Sequence, residues 1–389
     1  MKEFLENTNF VSEQDKPRPH NKQLLIDIFD SGKTFEEFEN MGVYEEALYI
    51  AGIGSGKCLA EGTKIIRYSG EIDVVENIKQ GDLLMGCDSK PRKVISLSKG
   101  KEELYRITPI KGDPFVVNKS HILSLKRTNK GIIAKNGRLD QKAGEVINIS
   151  VSEYLKLSSK MRGILKLWRT GIDFKEKEVS VDPYFLGLWL GDGNSHNIGV
   201  ATQDIEVKDE IYKQARIADL TVNVNQNKNK TCPTYIITSG TKRGSKNRNT
   251  LLENFKQYNL LKNKHIPLIY KTNSRKIRLQ LLAGLIDSDG YQGINCLEFS
   301  NKNKVLSEDV AYLCRSLGFA AYIKQRETSY TYKGKRFLSY RVSISGNLEE
   351  IPIRIRRKRC TKRKQKKSVL VTGFKAESIG IGDYYGFDL

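Results

Sequence analysis

The segment RKIRLQLLAGLIDSDG, Arg275 to Gly290, decides how the middle of this 389-residue chain is read. It is apolar over a helical length and closes on an acidic residue followed by glycine, a pairing that marks a helix end. A second version lies upstream as DPYFLGLWLGDG, Asp182 to Gly193. The terminal acids, Asp192 and Asp289, are 97 positions apart, so the region reads as two similar half-domains. Strand-like runs follow each copy: GVATQDIEV, TVNVN and TYIITSG in the first half, CLEFS, AAYIKQ and LSYRVSIS in the second. SEDVAYLCRSLG adds a helix to the second half.

The pair has a physical logic. Gly187 and the Ala283-Gly284 pair are small enough for two helices to approach closely, while Leu188, Leu190, Leu285 and Ile286 fill the seam. Side by side, the helices bring Asp192 and Asp289 together, and like charges converge at little cost only with a cation between them. Mg²⁺ takes oxygen ligands and suits phosphodiester hydrolysis. A lone Asp-Gly at a helix end is a turn; a matched pair points to a site.

Composition bounds the partner. Lys plus Arg is 66 against 45 Asp plus Glu, a formal charge of +21, which favours a polyanion and above all nucleic acid. No apolar run has the length of a membrane span and no secretory pattern opens the chain, so neither membrane nor secretion is expected. Six scattered cysteines and four histidines argue against a disulfide framework or a structural zinc site. A reducing interior fits best: cytoplasm, nucleoid or the inside of a virus-infected cell.

The two helical segments resemble the signature motifs of the LAGLIDADG homing endonucleases, the second copy nearly completely. The resemblance implies an α/β endonuclease with pseudo-two-fold symmetry, active as a monomer, whose sheets form a saddle in the major groove of double-stranded DNA. It makes Asp192 and Asp289 the ligands of Mg²⁺. The first copy departs from the family pattern at Trp189 and Gly191 but keeps its acid. KNKHIP, Lys262 to Pro267, matches the block that carries a basic catalytic residue, placing it at Lys264. In the second half the corresponding residue falls in IRRKRC, at Lys358 or a neighbour. Lys/Arg-rich intervals then read as phosphate-contacting arms. The densest, RIRRKRCTKRKQKK from Arg354 to Lys367, also reads as a linker, and Ser239, Thr241 and Arg243 belong to a polar strand-loop expected to read bases.

The flanks carry a different chemistry. AGIGSGKCLAEGT, Ala51 to Thr63, begins as a phosphate-binding loop with Gly54, Gly56 and Lys57, preceded by the helix-and-strand run FEEFENMGVYEEALYI. Where Mg²⁺ needs a hydroxyl the chain has Cys58. From there to about Lys126 short strand-like runs (KIIRY, DLLMG, RKVISL, LYRITPI, PFVVN, HILSLK) make the chain all-β. A cysteine can attack the carbonyl before it to give a thioester, given an acid for the leaving amide and donors for the oxyanion. NKSH, Asn118 to His121, offers an amide and an imidazole.

CLAEGT with GEIDVVENIKQGDLLMG, then NKSH, then GDYYGFDL resemble in order the splicing blocks of inteins, most closely the endonuclease-bearing type of the yeast vacuolar ATPase. The resemblance implies an all-β, horseshoe-like Hint domain interrupted by the endonuclease. Cys58 becomes the nucleophile, Lys57 the other side of the scissile bond, His121 the acid/base, Asn118 an orienting group and Asp383 a supporting residue, with no cofactor for splicing. The domains expected are 1–57, the N-extein of a phosphate-loop ATPase resembling a phage terminase large subunit; 58–165, the first Hint part; 180–355, the endonuclease, with halves about 180–265 and 275–355; and 366–389, an incomplete second Hint part. Inteins of this type end in further strands and His-Asn, so the resemblance implies a complementary C-terminal fragment with the C-extein, or a truncated gene. The target it implies is the intein-less allele of the host gene. Two rivals stay open: an ATP-dependent DNA motor, and a remnant that only binds DNA.

Overall fold

The computed structural model describes residues 58–128, 132–133, 139–141, 144–226, 232–240, 248–294, 296–329, 336–362, 365 and 367–389. In chain order the elements that place the sites begin with β1 (Leu59–Ala60), β2 (Ser96–Pro109), β3 (Phe115–Asn118), β4 (Ile122–Arg127), β5 (Val146–Ser150), α1 (Val151–Lys156) and β6 (Leu165–Trp168). The α/β body follows: α2 (Pro183–Asp192), β7 (Gly199–Ala201), α3 (Ile205–Ile217), β8 (Thr221–Asn225) and β9 (Thr234–Thr238) in its first half. Its second half holds α4 (Arg275–Asp289), β10 (Gly290–Gln292), β11 (Leu297–Asn301), α5 (Lys304–Ser316), β12 (Ala320–Ser329) and β13 (Arg336–Ser345). The chain then returns through β14 (Val371–Thr372) and β15 (Phe374–Asp388).

Among the described residues the β-rich body holds a barrel, a four-stranded sheet and three two-stranded sheets. β1, β15, β2 and β3 close into a barrel, and β5, β4, β6 and β14 form a four-stranded sheet. In β4 the burial alternates residue by residue, with Leu123, Leu125 and Arg127 turned inward, as a half-buried strand requires. β15 pairs with β2 along nearly its whole length, from Phe374 against Pro109 to Asp388 against Ser96. Residues some 290 positions apart in the chain thereby share one wall. Ser150 caps α1 in a reciprocal capping box with Glu153.

Each half of the α/β body repeats one order: helix, short strand pair, helix, two longer strands. In the second half β10 pairs with β11, giving the sheet β10-β11-β13-β12. In the first half the first pairing shrinks to one bridge, Gly193 to Val200, beside the sheet β7-β9-β8. α2 and α4 are buried on nearly all sides, Tyr184 to Leu190 in one and Leu281 to Asp287 in the other, so they form the central layer. α3 and α5 are ordinary amphipathic helices; α3 buries Val207, Ile211 and Ala215 at four-residue spacing. One apolar cluster runs through both halves and a separate one fills the β-rich body.

The run GVATQDIEV is only partly a strand. It pairs over Gly199–Ala201, and Asp204 then stands at the N-cap position of α3, because the apolar residues beyond it recur every four positions. The expected helix and strand before Ala51, with Gly54, Gly56 and Lys57, fall outside the described residues, as do Thr241 and Arg243.

The two bodies touch. Tyr312 Oη donates to Gly70 O at 2.8 Å, Arg315 pairs with Asp113 at 3.3 Å, and Arg169 donates to Tyr322 Oη at 3.1 Å. Arg278, fully buried at the foot of α4, donates to Ile172 O, Asn273 O and Ser316 Oγ, tying the incoming linker to the second half. Among the described residues no helix is long and apolar enough to cross a membrane.

Candidate functional site

The first centre lies where α2 and α4 end. Asp182 caps α2 by accepting from Phe185 N and Pro183 opens its first turn; Ser274 caps α4 in the same way on Ile277 N. The helices cross with no side chain between them at Gly187 and Gly284. A Cβ added to Gly187 would meet Leu285 N at 2.8 Å and Gly284 Cα at 2.9 Å. One added to Gly284 would meet Leu188 N at 2.9 Å and Gly187 Cα at 3.0 Å. The contact is reciprocal, and these glycines have the same 97-residue offset as Asp192 and Asp289.

Backbone contact at that point delivers both acids to one cleft. Asp289 is fixed by Asn301 Nδ2 at 2.8 Å, and its charge together with loss of water acts on Asp192. Asp192 keeps a solvent-facing edge, yet the surrounding protein strips enough water that dehydration, then the Asp289 charge, pushes its carboxyl up to about 6. Burial likewise raises Asp289, against the favourable bond from Asn301. Neither acid rests at its ordinary affinity for a proton, so the cleft is a place prepared for positive charge.

Two lysines supply part of it. Lys264 Nζ donates to Gly191 O at 2.8 Å and lies 5.1 Å from the centre of the Trp189 ring. Burial depresses it to about 8, opposed by Asp289 and Asp192. Lys358 Nζ donates to Ile286 O, Asp287 O and Ser288 O at 2.8 to 2.9 Å, closing the last turn of α4, and burial lowers it as well. Gly191 and Ser288 are again 97 positions apart, so each lysine holds the equivalent carbonyl of its own half's helix. Of the cations of IRRKRC, Lys358 is the one whose ammonium reaches the end of α4 beside Asp289.

The rest of that basic run departs from expectation. Arg354 pairs with Glu210 and stacks 3.5 Å above the centre of the Tyr184 ring, and Arg357 pairs with Asp204. Arg359 donates to Ile353 O and Arg354 O. Buried Asp287 accepts from Tyr184 Oη and from the backbone N–H groups of Arg354 and Ile355. Arg354, Arg357 and Arg359 therefore face protein acids and carbonyls, and Arg354 and Arg357 strap the second half to the first. Sequence reasoning missed it because Glu210 and Asp204 lie some 150 positions earlier. The four-residue spacing of Val207, Ile211 and Ala215, which sets Glu210 on the buried side of α3, was the available signal.

The second centre surrounds Cys58. Leu59 pairs with both Tyr385 of β15 and Val117 of β3, so Cys58, one residue earlier, sits between those strands and is 5% exposed. Its Sγ lies 3.8 Å from Ser98 Oγ, and Asn118 N donates to Cys58 O at 3.3 Å. Burial raises the thiol, Ser98 opposes this, and the Glu102 and Asp388 charges add to it. The chain turns tightly after Asn118, with His121 N donating to Asn118 O at 3.3 Å, and the start of α1 docks on the turn through Val151 N to His121 O. Asn118 and His121 are both buried.

Asp383 is not part of this centre. It is exposed on β15, opposite Lys101 with an ion-pair distance of 3.9 Å, and the strand register places Gly386, three residues later, beside Cys58. Ser98 and Glu102, on β2, stand there instead. Only the long pairing of β2 with β15 brings them in, and alternation within β2 was the one clue to it.

Residues 58–178 match the family described as Hom_end-associated Hint, and residues 265–370 match the homing endonuclease family. The chain joins a Hint domain to a homing endonuclease domain. The replicative DNA helicase DnaB of Mycobacterium intracellulare is 26% identical over 290 residues, 71% of this chain and 45% of the helicase. The homothallic switching endonuclease of Saccharomyces cerevisiae is 22% identical over 376 residues, 69% of this chain and 64% of that protein. The chain thus spans about half of the first and under two thirds of the second. The solved homing endonuclease I-DmoI, in complex with DNA and Mn, aligns with 42% of this chain and 88% of its own at 17% identity and a TM-score of 0.30.

Among the described residues no group of three or more His, Cys, Asp or Glu side chains converges. The endonuclease domain offers a two-carboxylate site of hard oxygen donors, which fits a divalent cation whose remaining ligands are water and phosphate oxygens.

Proposed function

We propose that the endonuclease domain cuts both strands of a DNA site with Asp192 and Asp289 as the residues that hold Mg²⁺, and that the Hint domain breaks the Lys57–Cys58 peptide bond. The observation that supports the first reading best is the reciprocal glycine crossing, which puts two acids and two half-buried lysines in one cleft. When bound, the cation supplies Lewis acidity at the scissile phosphate. The chain's own groups do the rest: Asp192 and Asp289 hold negative charge where the cation needs it, and Asn301 keeps the Asp289 carboxylate oriented. Lys264, depressed to about 8, can neutralise a phosphate oxygen or exchange a proton near neutral pH. Lys358 fixes the end of α4 while keeping its charge at the same cleft. The two halves act as pseudo-symmetric units on one long DNA site in a single monomer.

In the Hint domain the Cys58 sulfur attacks the Lys57 carbonyl carbon; the C–N bond breaks, the C–S bond forms, and the thiol proton ends on the Cys58 amine. His121 serves the departing nitrogen. The parts fit an intein of the vacuolar ATPase type within a phosphate-loop ATPase gene, and the intein-less allele spanning the AGIGSGK codons is the natural DNA target. The decisive experiment incubates the full chain with that DNA and Mg²⁺, and separately with dithiothreitol. Double-strand cuts lost in Asp289→Asn, and a fragment ending at Lys57 lost in Cys58→Ala, support the two activities. Uncut DNA and an intact chain overturn them.

A further inference from the structure

Lys264 is carried by a segment that is neither helix nor strand, so its place at the cleft is set from outside. The second half supplies the hold. Asn303, the N-cap of α5, uses both ends of its amide: Oδ1 accepts from Leu306 N at 3.2 Å and closes the cap, while Nδ2 donates to Lys264 O at 2.7 Å. Its main chain is fixed on both sides, N donating to Asn301 Oδ1 at 2.9 Å and O accepting from buried Ser307 Oγ at 3.0 Å. A second grip lies farther along α5, where Asp309 Oδ2 accepts from Ile266 N at 2.8 Å. Because Asn301 also holds Asp289, an unbroken series of bonds joins the acid of the second half to the main chain of the lysine whose ammonium reaches Gly191, beside Asp192. The corresponding cap of the first half also reaches across. Asp204 donates its N–H to Thr202 Oγ1 at 3.1 Å, as Asn303 does to Asn301, and its carboxylate makes no cap bond among the described residues. It goes instead to Arg357, next to Lys358, at 2.9 Å. Each outer helix thus begins with a residue that holds the lysine-bearing segment of the opposite half.

We propose that Asn303 is a positioning residue of the nuclease centre: by bonding the Lys264 carbonyl it ties the lysine of the first half to the acid of the second, so that the two halves set the ammonium together. The inference rests on the reading of Asp192, Asp289 and Lys264 as the cleavage centre. Asn303 touches no reacting atom; it acts through Lys264.

Asn303→Ser in the full chain separates the two uses of the side chain. Serine caps a helix about as well as asparagine but is too short to reach the Lys264 carbonyl, so the melting temperature should hold within about 2 °C while Mg²⁺-dependent cutting of the target DNA slows by about 10-fold. In a Lys264→Met chain the same substitution should slow cutting by less than about 2-fold more, since nothing is left for Asn303 to place. Full-rate cutting by Asn303→Ser, or a further loss greater than that on Lys264→Met, overturns the proposal. The second readout needs no cleavage. Lys264 Nζ lies 5.1 Å from the centre of the Trp189 ring, and with the other of the two tryptophans removed by Trp168→Phe, the emission of Trp189 reports the position of the ammonium. Asn303→Ser should move that emission in the direction that Lys264→Met moves it. Emission that Lys264→Met shifts and Asn303→Ser leaves unchanged refutes the link. An unaltered chain that leaves the DNA uncut refutes the nuclease reading instead, and the emission still decides Asn303.

Discussion

Gly284→Ala probes the geometry on which the nuclease reading depends. The added methyl would stand 2.9 Å from Leu188 N and 3.0 Å from Gly187 Cα, and closer still to Tyr184 O, where ordinary contact begins at 3.4 Å. All three are main-chain atoms of a buried helix, so no side chain can rotate away. The helices must part by at least about 0.5 Å, and overpacking of this kind costs about 1–3 kcal/mol, here toward the upper end because backbone is opposed on both sides. For a domain of this size each 1 kcal/mol lowers the melting temperature by about 2–4 °C, so a loss of about 6–12 °C is expected at 3 kcal/mol. Separation also draws Asp192 from Asp289, and a displacement approaching 1 Å reduces cleavage by about 100-fold. Differential scanning calorimetry and cleavage of a plasmid carrying the target measure the two effects on one sample. An alanine variant that melts within about 2 °C of the unaltered chain and cuts DNA at its full rate would refute the close crossing.

Asp289→Asn removes the like charge acting on Asp192, so Asp192 should titrate lower than about 6, as a carbon-13 carboxyl titration would show, while salt-dependent DNA binding persists and double-strand cutting is lost. The linkage sign follows from Asp192 being raised: the folded chain binds its proton more tightly than the unfolded chain between about 4 and 6, so without metal the endonuclease domain gains stability as pH falls from 7 to 5. Added Mg²⁺ should reverse that gain above pH 6, and a melting series with no such crossover contradicts the pairing. Lys264→Met and Lys358→Met should each slow cutting by about 10²–10³-fold, and Lys358→Met should lower the melting temperature more, since it loses three carbonyl bonds at the end of α4 where Lys264→Met loses one at the end of α2. Arg354→Ala leaves Glu210, 2% exposed at its side chain, without that cation; destabilisation by about 3 kcal/mol in a urea titration is expected.

The central helices could be read from the chain because a buried helix with a glycine at its crossing point and an acid at its end writes all three features within one short segment. The block that carries Lys264 was legible in the same way. The place of Lys358 needed three dimensions: it holds the carbonyl of Ser288, 70 residues away. The strap formed by Arg354 and Arg357 was hidden, since charge density alone does not say whether a cation faces phosphate or protein. Around Cys58, the neighbouring NKSH segment was visible, whereas Ser98 and Glu102 entered through the register of β2 with β15. Asp383 shows the limit of motif reading: three residues along a strand move a side chain about 10 Å.

The endonuclease domain leaves the β-rich body at Trp168 and returns at Val371, and these two residues are paired directly across an antiparallel ladder. Cross-strand neighbours of this kind have Cα atoms about 5 Å apart, a gap that a two-residue turn closes. The whole nuclease is therefore an ornament on one hairpin: its genetic deletion would leave a shorter loop with every strand partner intact. Such an attachment lets a lineage gain or shed the α/β body without rebuilding the β-rich one.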